Sequence, residues 1–297
     1  MVSVSQSIHA AYHQMERILF RPFDIQRWFA LGFTAFLASL GGGFQFRFNG
    51  LPKEWSGLGD WLHNHMGLAI ALGILLLIAL LAVLVVLNWL ACRGQFMFLD
   101  NVVHNRTEIH APWARFRQPA NQLLVFQLLL GVGLAITLLL LVGIGVGGVF
   151  LLRAAFEQLA APWKLGVIAV LACLALAFFL GLLLFSLVLQ DFVAPLMYRM
   201  GLTPANALRY FLNELLPDHG WDFSRFYLLK LVIALGGLVA ILCAGCLTCC
   251  IGFLPYLSSV LTLPLSVFFL CLNLDFLAQL QPSLALLPPE NLPLQES

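Results

Sequence analysis

Long apolar runs separated by short polar stretches dominate the chain. Six of them, at roughly 25–43, 66–92, 121–150, 164–190, 226–248 and 252–280, approach or exceed the length of a membrane span. A helix crossing the hydrocarbon of a bilayer needs about 20 mainly apolar residues, because its backbone must satisfy its own hydrogen bonds. A membrane β-barrel would instead show alternating segments of about 10 residues. Unbroken runs such as LAIALGILLLIALLAVLVVL exclude that pattern. The predicted fold is therefore all-α, a polytopic membrane bundle of six transmembrane helices.

Composition agrees. The 297 residues are 61% hydrophobic and only 10% charged, against about 25% charged in a soluble domain. With a net charge of +1 and scattered basic residues, no nucleic-acid partner is expected. The first segment lacks the basic-then-apolar layout of a cleavable signal peptide. Eleven of the fifteen Lys and Arg residues fall on one side of the predicted spans, among them Arg17, Arg27, Arg93, Arg117, Arg199 and Lys230. The positive-inside rule then places both termini in the cytoplasm, in a multi-pass protein of the bacterial cytoplasmic membrane. The stretch 281–297 is Pro-rich and reads as a disordered tail after a single transmembrane domain, 1–280.

Echoes along the chain predict three parallel repeats, at about 1–100, 101–198 and 199–280, each an interfacial amphipathic helix followed by a hairpin. FDIQRWF (23–29) returns as WDFSRFY (221–227), and DFVAPL (191–196) as DFLAQL (275–280), with QFMFL (95–99) a weaker copy. HAPWARF (110–116) is echoed by PANALRY (204–210). In the first amphipathic segment Ile8, Ala11, Met15 and Ile18 form the apolar face, suited to lying in the membrane interface. Asp24 and Asp222 stand where a carboxylate would cap a transmembrane helix.

RGQFMFLDNVV (93–103), QDFVAPLMYR (190–199), CLTCCIGFLPY (246–256) and the opening ILFRPFDIQRWFALGFTAFL resemble a family of bacterial integral membrane proteins to which no activity is attached. More loosely, the pattern of interfacial helix plus hairpin is similar to the membrane domain that accompanies glycerophosphodiester phosphodiesterases. No phosphodiesterase domain is recognisable, so the resemblance implies fold and location, not a reaction.

The candidate sites are few. Asp191 and Asp275 end apolar helices, where an ionisable group is costly. They form either an ion or proton site, or ion pairs with Arg27, Arg225 or Lys230 at similar depth; pairing is the favoured expectation. His9, His13 and Glu16 have zinc-compatible helical spacing but also fit a solvated helix face. His63 and His65 stand near Trp55 and Trp61, read as an interfacial belt. Asn105 opens a glycosylation sequon on the predicted cytoplasmic side and is discounted. Gly143 and Gly147 form a GxxxG pair suited to helix contact, whereas Gly41 to Gly43 read as a helix end. Cys243, Cys246, Cys249 and Cys250 cluster at the outer end of the fifth span. Three of them lie within about one sixth of a helical turn. Packing is the first reading of the cluster, a disulfide the second and a soft-metal site the third.

No zincin, nucleophile-elbow, Walker or dinucleotide-binding motif is present. The expectation is a non-enzymatic scaffold, accessory or lipid-interacting membrane protein, without metal or cofactor. Its partner would be the bilayer, joined by another membrane protein or a second copy. The alternative is a transporter or channel using Asp191 and Asp275.

Overall fold

The computed structural model describes residues 4–21, 23–40, 65–151, 161–247 and 255–287. All regular structure among them is helical. Among the described residues five helices are long and apolar enough to cross a membrane: Met66–Val103, Arg117–Gly145, Cys173–Met200, Pro204–Cys243 and Leu263–Leu280. The run at 25–43 gives only a 15-residue helix within the described residues, Ile25–Ser39. At 1.5 Å per residue it covers about 22 Å, short of a hydrocarbon core of about 30 Å.

In chain order the helices are α1 (Val4–Leu19), α2 (Ile25–Ser39), α3 (Met66–Val103), α4 (His110–Arg115), α5 (Arg117–Leu151) and α6 (Ala161–Val188). After a π-helical turn, Leu189–Val193, come α7 (Ala194–Met200) and α8 (Pro204–Tyr210). A second π-helical turn, Phe211–Leu215, leads into α9 (Leu216–Leu247), followed by α10 (Pro255–Leu261) and α11 (Leu263–Leu280).

The helices outrun their apolar stretches. In α3 every described side chain from Met66 to Val86 is exposed, about 30 Å of shaft. Leu87 to Leu90 are half-buried, and from Ala91 to Val102 nearly every residue is buried. The expected end near 92 therefore moves to Val103. Hydropathy marks the part that meets lipid, and the helix then continues into a packed region where its polar side chains find partners. The same holds after position 190, where the expected end gives way to the π-helical turn and α7. Gly201, in the left-handed conformation at φ 65°, ends that helix. The C-terminal end of α3 closes as a Schellman motif. Asn105 has φ 51°, Arg106 N–H donates to Asn101 O (2.9 Å), and Asn105 N–H donates to Val102 O (3.4 Å). The run at 252–280 divides at Thr262, two residues before Pro264, which has no N–H to continue the ladder.

The chain forms two compact units, each assembled from distant pieces. One comprises residues 14–121 and 234–268. Here α2 lies along α3 and α10 packs on α2. Gly94 lets α2 and α3 meet: a Cβ there would fall 2.5 Å from Ala38 N and from the Leu37 carbonyl carbon. Leu37, Leu40 and Ala91 form a buried cluster ringed by Phe33, Phe36, Leu87, Leu90 and Trp113. Trp28 Nε1 donates to Leu19 O (2.9 Å), fastening the turn between α1 and α2.

The other unit comprises residues 1–13, 122–233 and 269–297. Its core is aromatic. Phe192, Phe211, Phe223, Phe226 and Phe276 are all buried. Phe226 stacks on Phe276 with centroids 4.3 Å apart, and Phe192 on Phe211 at 5.4 Å. Such pairs add about 0.5–1.5 kcal/mol each beyond their area. Of the stretch expected as a tail, residues 281–287 are described. A 3₁₀ turn, Pro282–Leu284, docks by burying Leu284. Tyr210 Oη donates to Gln281 Oε1 (2.6 Å) and Arg199 Nε to Ser283 O (3.1 Å). Residues 288–297 lie outside the described residues.

Gly94→Ala should cost about 1–3 kcal/mol, because backbone rather than a mobile side chain must yield. Gly131→Ala, where a Cβ meets nothing within 4 Å, should be neutral or gain about 0.5–1 kcal/mol. Apparent melting temperatures of the two purified variants check this pair; equal shifts would contradict it.

Candidate functional site

Asp191 sits in the π-helical turn Leu189–Val193. A π turn carries one extra residue per turn and re-aims the side chains on it. The Asp191 carboxylate is directed at α9 and α11, where both its oxygens find donors. Lys230 Nζ lies 2.6 Å from Asp191 Oδ2. Asn273 Nδ2 donates to Asp191 Oδ1 at 3.0 Å. Lys230 Nζ also donates to Asn273 Oδ1 at 3.2 Å. The three side chains close a triangle between separate helices, with Lys230 15% and Asp191 13% exposed.

The surroundings are aromatic. Lys230 Nζ lies 5.5 Å from the ring centroid of Phe269 and 6.0 Å from that of Phe226, within cation–π range. Tyr227, one turn before Lys230, packs edge-on against Phe192 and Phe226. Its hydroxyl is buried and makes no hydrogen bond of good geometry, although Asp191 is close enough to interact with it. A carboxylate and an ammonium shielded in this way are held by each other: removing one costs about 3–5 kcal/mol, since the survivor is left uncompensated.

A family model described as "Family of unknown function (DUF7544)" matches residues 2–263. The chain belongs to this family. No curated protein and no solved structure matches the chain. No link to the membrane domain of glycerophosphodiester phosphodiesterases is found. Membership of DUF7544 thus names a set of related sequences without supplying a reaction, and the chemistry must be read from the side chains.

Asp191 and Asp275 have separate partners. Asp275 Oδ2 accepts from Gln279 Nε2 (2.8 Å), and the same nitrogen reaches Ser7 Oγ (2.9 Å), joining α11 to α1. The two arginines proposed as partners are engaged elsewhere. Arg27 Nη2 donates to Asn105 O and Oδ1, at 2.9 and 3.1 Å. The Arg225 guanidinium lies over Trp221, 5.2 Å from its centroid. Asp24 caps α2, accepting from Gln26 N–H at 2.8 Å. Asp222 does not cap a helix. It lies inside α9, three residues past a break at His219 (φ −128°, ψ 19°). The chain is already helical when it reaches Asp222, so the carboxylate sits in the first turn after the break, where it still suits the helix dipole.

Cys243 is exposed, and its thiol is free among the described residues. Cys249 and Cys250 lie outside the described residues, as do the side chain of Cys246, Gly41 to Gly43, Trp55, Trp61 and His63. His9, His13 and His65 are exposed, and Glu16 pairs with Arg21 at 2.7 Å. Among the described residues no three His, Cys, Asp or Glu side chains are grouped to hold a metal. Gly143 and Gly147 face open space.

Asn273 escaped the sequence reading. Its signal was present: a lone amide in the apolar run FFLCLNLDFL, where polar groups find partners across helices. Asn273→Leu should lower stability by about 1–3 kcal/mol by stripping one acceptor and one donor from the pair. Asp191→Asn should cost about 3 kcal/mol, leaving Lys230 without a counter-charge. Thermal denaturation in one detergent checks both; an Asp191→Asn variant that melts like the parent would remove the structural role.

Proposed function

We propose that the protein is a non-enzymatic component of the bacterial cytoplasmic membrane, a scaffold or accessory subunit embedded in lipid. One observation carries this reading: the Asp191 carboxylate, the chain's best candidate for ion chemistry, has both oxygens occupied by Lys230 and Asn273. A transport site must load and release its ion, whereas this carboxylate is neutralised by a cation of the same chain. The shaft of α3 presents only apolar side chains over a bilayer's thickness, which suits lipid contact rather than a polar pathway. Within this reading the protein has six spans in three parallel repeats and cytoplasmic termini, and it binds another membrane protein or a second copy of itself.

A transporter or channel using Asp191 and Asp275 is the second reading. It is favoured by the buried Tyr227 hydroxyl beside Asp191, a polar group next to an ion pair.

Proteoliposomes separate the two. The scaffold reading expects no proton or cation flux above empty vesicles, and a membrane protein or second copy retained when the protein is purified in nanodiscs. A flux lost in Asp191→Asn, at unchanged insertion, would establish the transporter instead. Reporter fusions at each end should both read cytoplasmic; opposite readings would remove the six-span topology.

A further inference from the structure

A second arrangement of charge lies in the unit of residues 14–121 and 234–268. Arg93 lies on α3 a few residues past the point where the exposed apolar shaft becomes packed helix. Its guanidinium carbon is 4.4 Å from the ring centroid of Trp89, one turn earlier, and 4.8 Å from that of Trp113 on α4. The indoles meet edge to face, 87° apart with centroids at 5.9 Å. Trp89 is fixed by donating Nε1–H to Asn121 Oδ1 (3.2 Å) on α5. The clamp is thus built by three helices.

Among the described residues no anion meets the clamp. Arg93 is 7% exposed, yet among the described residues it donates to no acceptor, and its Nε is buried without a partner. Both indole faces cover its guanidinium. Arg117, which opens α5, is close enough to act on it by repulsion. The described part of this unit has seven arginines against four carboxylates. Three of those carboxylates are engaged: Glu16 with Arg21, Asp24 at its cap and Asp100 with His104. The fourth, Glu108, is exposed. Two cations close enough to repel each other, past the end of a lipid-exposed shaft, leave a place for a shared negative group. Tryptophan beside arginine is the side-chain pairing of the headgroup layer.

We propose that Arg93 and Arg117, framed by Trp89 and Trp113, bind the phosphate of an anionic phospholipid in the surrounding leaflet. Arg93 presents its planar fork to the phosphate oxygens while its faces stay on the indoles, and Arg117 supplies the second charge. The proposal requires that the chain lie in a bilayer; it does not depend on the scaffold reading.

The test uses the full chain in mild detergent, with bound lipid counted by native mass spectrometry during titration with phosphatidylglycerol or phosphatidylcholine. The parent should prefer phosphatidylglycerol by about fivefold or more per arginine engaged. Arg93→Gln should lose that preference, and Arg117→Gln, altered at an exposed position, should lose part of it. Millimolar inorganic phosphate should not displace the lipid, because its acyl chains remain in the apolar phase. Arg93→Gln that melts like the parent and keeps the preference would overturn the proposal. If that variant does not fold, an undiminished preference in Arg117→Gln overturns it. Displacement by inorganic phosphate would assign the site to a soluble anion and end the lipid assignment. Ion flux in liposomes would remove the scaffold reading and leave this result untouched.

Discussion

The contact between Lys230 and Asp191 is the constraint on which the aromatic unit depends. Neither charge is tolerable alone among apolar helices, and neither helix can move away without exposing the other's charge. Asn273 completes the arrangement by giving the carboxylate a second donor and the ammonium a second acceptor. The π-helical turn at Leu189–Val193 is the local irregularity that accompanies it. The phenylalanines around the triangle remove water, which strengthens the pair and raises the cost of breaking it. Apolar burial makes helices associate in many registers, whereas this triangle is satisfied in one.

The same logic explains why the helices divide into two kinds of length. Their apolar shafts need nothing from the protein, because lipid is an adequate solvent for Leu, Val and Ile. In the packed regions charged and amide side chains find partners: Arg27 with Asn105, Gln279 with Asp275 and Ser7, Arg199 with the chain around Ser283. Backbone contacts follow the same economy. Gly94 admits α2 against α3, while Gly143 and Gly147 face outward.

The sequence made the membrane class legible, because run length and backbone satisfaction leave only helices. It also marked Asp24 as a cap, since the carboxylate stands directly before an apolar helical run. WDFSRFY carries the same letters without the same role: the segment is already helical before Asp222, and the deciding irregularity is at His219, a residue with no special signature. Helix ends were misplaced for one reason. Hydropathy detects contact with lipid, and α3 continues well beyond that contact. Lys230 was visible as one of three cations at the right depth, but depth does not choose between them; the π-helical turn that directs Asp191 does, and nothing in the letters LQDFV announces it. Asn273 and Ser7 were hidden by averaging, as single polar residues inside apolar or amphipathic windows. The Arg93 clamp was divided in the sequence among 89, 93, 113 and 117, and only the fold of α3, α4 and α5 unites it.

A double-mutant cycle at the triangle tests this account most directly. Asp191→Leu, Lys230→Met and the double variant would be compared with the parent by thermal denaturation in one detergent and lipid mixture. A buried pair whose worth is mutual compensation predicts two strongly destabilised single variants and a double variant more stable than either, with a coupling of about 2–3 kcal/mol. Losses that simply add would show that the two charges act independently and would contradict the account.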